Sequence, residues 1–185
     1  MAEQAYARPE MLVEPTWLEA HVNDANVRIV DCDLQPAYRR AHIPNAIPIK
    51  GHHYLKEKEG APYIMGLQQY TEVMRQMGIG DDTLVIAYDG FSSLYAARFW
   101  WTLNYYGHTQ VKVLNGGWDA WLTEVQQVSN APTRPPENPS SFSAKKNEEI
   151  IARWEQVRDA IDNDTILLDV RSDGEWTGKN DRGTK

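Results

Sequence analysis

The chain has 185 residues, room for one well-buried domain of ordinary size and part of a second. Its 19 lysines and arginines against 26 acids give a net charge of −7 with no basic cluster, which argues against nucleic acid and anionic membrane as partners. One cysteine, Cys32, rules out an internal disulfide, and no cysteine cluster or His-x-x-x-His spacing calls for a metal or other cofactor.

No apolar run approaches the roughly 18 to 20 residues of a membrane span, and residues 1–10 lack the apolar core of a signal peptide. A soluble, cytoplasmic protein is expected. Residues 17–22 are predicted as a short helix with Thr16 as its cap. The stretch 23–26 then turns the chain into a strand over 27–30, which ends at Asp31-Cys32-Asp33 where the chain leaves the core. Residues 36–40 read as a single helical turn. In 42–49, Pro44 and Pro48 each lack a ladder donor and so suit the edge or end of a strand. Residues 51–66 mix charges without a period and read as a surface excursion.

Leu67, Tyr70, Val73, Met74 and Met77 recur at helical spacing, and Gly78 with Gly80 ends that helix. The apolar run 83–88 suits a strand covered on both faces, as in a parallel sheet. Asp89-Gly90 breaks it, Ser92 or Ser93 is placed to cap the next helix, and the apolar density of 94–103 predicts a helix buried nearly all round. Strand, loop (Asp89, Gly90, Phe91, Ser92, Ser93, Leu94) and helix thus follow without a spacer. Such an arrangement gathers free N–H groups and the positive end of a helix dipole, a scaffold for an anion or a thiolate. The residue at its mouth is Asp89.

Gly107-His108 closes the helix, with His108 expected to reach its last carbonyls. A strand over 111–114 and a tight turn at Asn115-Gly116-Gly117 lead to a final helix with Trp118, Trp121, Leu122 and Val125 on one face. The alternation through 125 is that of an α/β fold, a parallel β-sheet flanked by helices, with four strands visible and room for a fifth. Residues 131–143 carry Pro132, Pro135, Pro136 and Pro139 and read as a stiff linker between a domain over 1–130 and a segment over 144–185. In that segment Ile150, Trp154, Val157 and Ile161 mark an amphipathic helix, and a strand over 166–168 runs into Asp169. Helix, turn, strand and closing Asp repeat the plan of 17–31. This reads as an incomplete second copy, and an apolar strand with no sheet to join points to a fragment of a longer protein.

The sequences at 85–90, 95–103, Gly107-His108 and 113–121 (Val-Leu-Asn-Gly-Gly-Trp-Asp-Ala-Trp) resemble the amino-terminal half of tandem-domain rhodaneses, the thiosulfate and 3-mercaptopyruvate sulfurtransferases. His42-Ile43-Pro44-Asn45-Ala46 is similar to that family's His-Ile-Pro-Gly-Ala signature, with Asn45 in place of glycine. Asp169-Val170-Arg171-Ser172 and Glu175-Trp176-Thr177-Gly178 look like the opening of the second, catalytic domain. The resemblance implies a rhodanese-like fold and a parent that moves sulfur, as a cysteine persulfide, from a small donor to a thiophilic acceptor such as cyanide or a thiol. It also implies that this chain is the non-catalytic half, inactive alone, because Asp89 occupies the position of the loop cysteine. His42, Pro44, Gly116, Gly117 and Trp118 are carried over as structural motif residues, and the expected partner is the parent's own second rhodanese domain.

Other readings accompany that one. Asp89 is a carboxylate anchored by the loop N–H groups or, with Asp31 and Asp33, a magnesium chelator for phosphotransfer, although Lys112 lies inside its strand rather than at its end. Cys32, between two acids, is expected to be passive. His42 is expected to donate to backbone carbonyls, and Arg98 to pair with Asp89 or Asp31. Trp100, Trp101, Trp118 and Trp121 are expected to pack the core, with one side of the set meeting the second domain. Glu175 stands where an arginine would suit the carboxylate of mercaptopyruvate, which favours thiosulfate as the parent's donor. A non-enzymatic rhodanese-like binding or regulatory module and a 3-mercaptopyruvate sulfurtransferase parent remain the alternatives.

Overall fold

Two apolar runs, β2 (Val27–Asp31) and β4 (Leu84–Tyr88), pair in parallel over their whole length and form the centre of the sheet in a computed structural model of the chain. Residues 6–51, 54–56, 64–134, 141–161 and 163–180 are described. β5 (Val111–Leu114) and then β1 (Leu12–Val13) extend the sheet on one side, and β3 (Ile47–Pro48) closes the other. All pairings are parallel, in the order β1-β5-β4-β2-β3. Pro48 sits in the edge strand β3, where a missing donor costs nothing. The fifth strand is β1, whose two residues are too short to show a period.

Period-2 alternation divides the strand residues between two faces. Val13, Ile29, Ile86, Tyr88 and Leu114 pack with Leu18 of α1 (Pro15–His21) and Trp121 of α5 (Gly117–Glu124) into one buried cluster. α4 (Leu94–Tyr105) lies along β4 and β5. α3 (Leu67–Gln76) meets α4 through Tyr70, whose hydroxyl lies 3.0 Å from Thr102 Oγ1 and whose ring packs on Tyr106. α2 (Gln35–Arg40) follows β2.

Several expectations are corrected. Thr16 does not cap α1: Pro15 is the first helical residue and Glu14 the cap, without a side-chain bond. Proline needs no N–H partner there and its fixed φ suits the position. α4 runs on to Tyr105 and is buried along one side only, with Leu94 exposed and Trp100 and Trp101 half-buried. The four tryptophans therefore do not form one set. Trp118 and Trp121 belong to the α1/α5 cluster, whereas Trp100 and Trp101 ride on α4. The excursion over 51–66 is not all surface, because Leu55 and Met65 are wholly buried and Met65 N–H donates to Leu55 O at 2.7 Å. Its middle, 57–63, lies outside the described residues, as do Pro135, Pro136 and Pro139.

On either side of those prolines the chain is tied to the helices and loops of the first unit. His42 and Ser129 exchange backbone hydrogen bonds, and Thr133 N–H donates to Tyr38 Oη at 3.1 Å. Phe142 is buried against Tyr70 and His108, Lys145 N–H donates to Tyr106 O, and Asn147 N–H to Tyr105 O. The chain divides into two compact units between Glu148 and Glu149.

The unit over Glu149–Lys185 contains α6 (Trp154–Ala160) and α7 (Asp173–Trp176). The strand expected over 166–168 does not form, and Ile166, Leu167 and Leu168 are exposed. A strand exists by its ladder, and the described residues of this unit supply no second strand to build one. α7 opens on a capping box: Ser172 Oγ accepts from Glu175 N–H, and Glu175 Oε2 accepts from Ser172 N–H at 2.9 Å.

Candidate functional site

At the carboxyl edge of the sheet Asp31, the last residue of β2, is paired with Tyr88, the last residue of β4, and Asp89 follows directly. The turn after β4 wraps around the side chain of Asp89. Oδ1 accepts from Phe91 N–H at 2.8 Å and Ser93 N–H at 2.9 Å. Oδ2 accepts from Tyr95 N–H and Ala96 N–H, both at 2.7 Å. Four donors, two of them in the first turn of α4, converge on one carboxylate that is 1% exposed. Ser92 and Ser93 hold φ of 54° and 64°, a left-handed pair that turns successive N–H groups inward. The capping expected of Ser92 or Ser93 does not occur, because Ser93 makes no side-chain cap bond. Asp89 takes those N–H groups instead, with the charge that the helix terminus favours.

The Gly116-Gly117 turn supports the loop from below. Trp118 N–H donates to Asp89 O at 3.0 Å, and a Cβ at Gly117 would fall 2.4 Å from the same oxygen. Gly90 N–H donates to Asp33 Oδ2 at 3.0 Å, leaving Asp33 Oδ1 buried with no partner among the described residues. Phe91 and Leu94 are exposed at the rim, where Phe91 meets the ring of Tyr95 edge-on.

Asp31 is held differently. Its Oδ2 accepts from Tyr88 O–H at 2.6 Å and its Oδ1 from Asp33 N–H at 2.9 Å, while Tyr88 Oη accepts from Ile43 N–H at 3.1 Å. Burial pushes Asp31 up to about 6, against these hydrogen bonds, which lower it. Burial also raises Asp33. Tyr88 was not expected to link the two strand ends with the turn at His42; only its place as the last apolar residue of its strand pointed to the edge.

Cys32 is wholly buried, with Sγ 3.7 Å from Val30 O. Burial pushes its thiol well up, and Asp31, Asp89 and Asp33 push it further. Both effects disfavour the thiolate, the form in which a cysteine reacts.

His42 lies with Nδ1 2.8 Å from Tyr38 O and Nε2 3.1 Å from Ala131 O, its ring stacked on Tyr38. Pro44 and Asn45 form the centre of a turn closed by Ala46 N–H to Ile43 O, and Asn45 has φ of 63°. Asparagine tolerates that left-handed value, and here its side chain also donates to Val22 O and Asn23 Oδ1. Arg98 does not take the place expected of it: its Nε donates to Tyr54 O and its guanidinium stacks on Trp101, while the oxygens of Asp89 and Asp31 go to the partners above. Burial lowers it. The His108 ring turns to Gln110 O rather than to the helix end, where its backbone N–H bonds Leu103 O instead. No group of three or more His, Cys, Asp or Glu is placed to hold a metal among the described residues.

The fold built on these strands is matched among solved structures and protein families. Residues 14–124 match the rhodanese-like domain family. The chain belongs to that family. The putative thiosulfate sulfurtransferase SseA of Mycobacterium bovis is 36% identical over 178 residues, covering 95% of this chain and 59% of that protein. Bovine (Bos taurus) thiosulfate sulfurtransferase is 31% identical over 183 residues, 90% of this chain and 61% of that one. Among solved structures, the 3-mercaptopyruvate sulfotransferase SseA of Escherichia coli superposes with a TM-score of 0.71 at 24% identity, over 81% of this chain and 61% of that one. This rhodanese-like chain spans about three fifths of the length of the curated relatives it matches. No helix among its described residues is long and apolar enough to cross a membrane.

Proposed function

We propose that this chain is the non-catalytic rhodanese half of a thiosulfate-type sulfurtransferase, whose persulfide is carried by a cysteine outside the Asp89 loop. The observation that carries this reading is the occupancy of the cradle. Four N–H groups that could stabilise a thiolate or persulfide already bind a carboxylate that is part of the chain. A carboxylate carbon offers no sulfur to receive sulfur, and the one thiol, Cys32, is inaccessible. The partner in this reading is a second rhodanese domain, of which 149–185 would supply the opening. Glu175, engaged with Ser172, adds negative rather than positive charge beside Trp176, which favours thiosulfate over mercaptopyruvate as donor.

The test is thiocyanate formation from thiosulfate and cyanide by the purified, folded 185-residue chain. The expected rate equals that of buffer; turnover proportional to protein would end this reading. A second reading, a rhodanese-like binding module, is favoured by the exposure of Phe91 and Leu94 at the loop rim. A Phe91→Ser, Leu94→Ser double variant separates the two: loss of binding to a native partner other than a rhodanese domain would support the module.

A further inference from the structure

The turn from β5 into α5 holds the sequence's single Asn-Gly pair, Asn115-Gly116. Asn115 Nδ2 donates to both carboxylate oxygens of Glu14, at 3.0 and 3.2 Å, and Oδ1 accepts from Tyr6 O–H at 3.2 Å. The backbone N–H of Asn115 is used, bonding Val13 O at 2.9 Å. That of Gly116 is not: among the described residues it has no hydrogen-bond partner, and Gly116 contributes to α5 only its carbonyl, which accepts from Ala120 N–H. Gly116 is exposed, lacks a Cβ and holds φ of 69°. An uncommitted, unhindered backbone nitrogen therefore follows directly on a side-chain amide whose oxygen accepts a hydroxyl hydrogen bond, which makes its carbon a better electrophile.

We propose that Asn115-Gly116 is a self-modifying site, converting asparagine to aspartate and isoaspartate in the folded protein. The Gly116 nitrogen attacks Asn115 Cγ, forming an N–Cγ bond and a five-membered succinimide. The Cγ–Nδ2 bond breaks, and Nδ2 leaves as ammonia with the proton given up by Gly116. Solvent water then adds to one of the two ring carbonyls and opens the ring to aspartate or isoaspartate. Nothing is oxidised or reduced.

Two local consequences follow. A carboxylate replaces the amide donor that faces Glu14, so an attraction at the start of α1 becomes a repulsion of like charges. The isoaspartyl product also lengthens the backbone by one methylene just before Gly116, one residue ahead of Gly117, which lies against Asp89 O. The site is thus wired to the backbone that carries Asp89, whatever the activity of the parent protein.

Folded chain incubated at mildly alkaline pH, with a parallel sample in urea, tests the proposal by peptide mapping. The expected result in the folded sample is a gain of about 1 Da confined to the peptide carrying residues 115 and 116, together with an isoaspartyl product there. Asn115→Gln keeps an amide but disfavours ring closure by requiring a larger ring, and should lose the gain. Retention of Asn115 in the folded sample while the urea sample converts would overturn the proposal, as would a gain that persists in Asn115→Gln.

Discussion

Asp89 and Asp31 close neighbouring parallel strands at one edge of one sheet, and both are buried, yet they are built into the molecule in opposite ways. Asp89 receives four backbone N–H groups, and the loop takes its shape from them. Asp31 receives one hydroxyl and one N–H, and burial pushes it up to about 6. Residue type and burial are shared, so the donor supply decides. The turn after β4 enters a helix whose first N–H groups are unclaimed, whereas Asp31 is followed by Cys32 and Asp33 and gains only one nearby amide.

Replacing Asp89 with alanine should have the largest effect. It strips the common acceptor from four N–H groups, two of them at the start of α4, and a loss of about 4 kcal/mol is expected, read as a lower urea midpoint. A loss below about 1 kcal/mol would mean that water satisfies those groups and the loop does not depend on the carboxylate.

Asp31→Asn should act in the opposite direction, and its effect should depend on pH. In the unfolded chain Asp31 titrates at its ordinary 3.8, and in the fold at about 6. Between those values the folded protein holds the proton and the unfolded chain does not, so the Asp31 contribution to stability falls as pH rises from 3.8 to about 6 and stays low above. The variant's advantage should therefore grow through that window and level off near neutral pH at about 3 kcal/mol. Urea unfolding of both proteins at pH 4 and pH 7 provides the check, and an equal difference at the two would contradict the assignment.

Tyr88→Phe removes the hydroxyl that donates to Asp31 and accepts from Ile43 N–H. A loss of about 2 kcal/mol is expected at pH 7, shrinking below the Asp31 titration because a protonated carboxyl depends less on that donor. A pH-independent loss would show that the tie to Ile43 matters more than the acid. The smallest effect belongs to Glu175, which also meets an N–H at a helix start but on a half-exposed single turn. Glu175→Ala should cost about 1 kcal/mol, seen as faster amide exchange over 173–177. A cost matching that of Asp89→Ala would erase the distinction between a buried and a surface carboxylate.

Much of the first unit was legible because its strands are dense apolar runs and its turns carry Gly, Asn and Pro. The α/β alternation, the edge position of Pro48 and the Gly-Gly turn are local signals of that kind. β1 escaped notice because two residues show no period, and Phe142 because its burial comes from Tyr70 and His108 on distant elements. The apolar stretch at 166–168 carries a strand signal, but forming a strand requires a neighbour. At the site, sequence position marks Asp89 as the residue at the mouth of the loop. It does not mark Tyr88 as a partner of Asp31, nor Tyr54 as a partner of Arg98, since these pairs are distant in the chain and meet only in the fold. Trp101, one helical turn from Arg98 on α4, was within reach of local spacing.

Intact-mass measurement of the folded chain after exposure to excess thiosulfate asks most directly whether this cradle holds oxygen where sulfur transfer would need sulfur. The expected mass is unchanged, with Cys32 shielded. A mass gain of one sulfur that maps to Cys32 and vanishes in Cys32→Ser would contradict it.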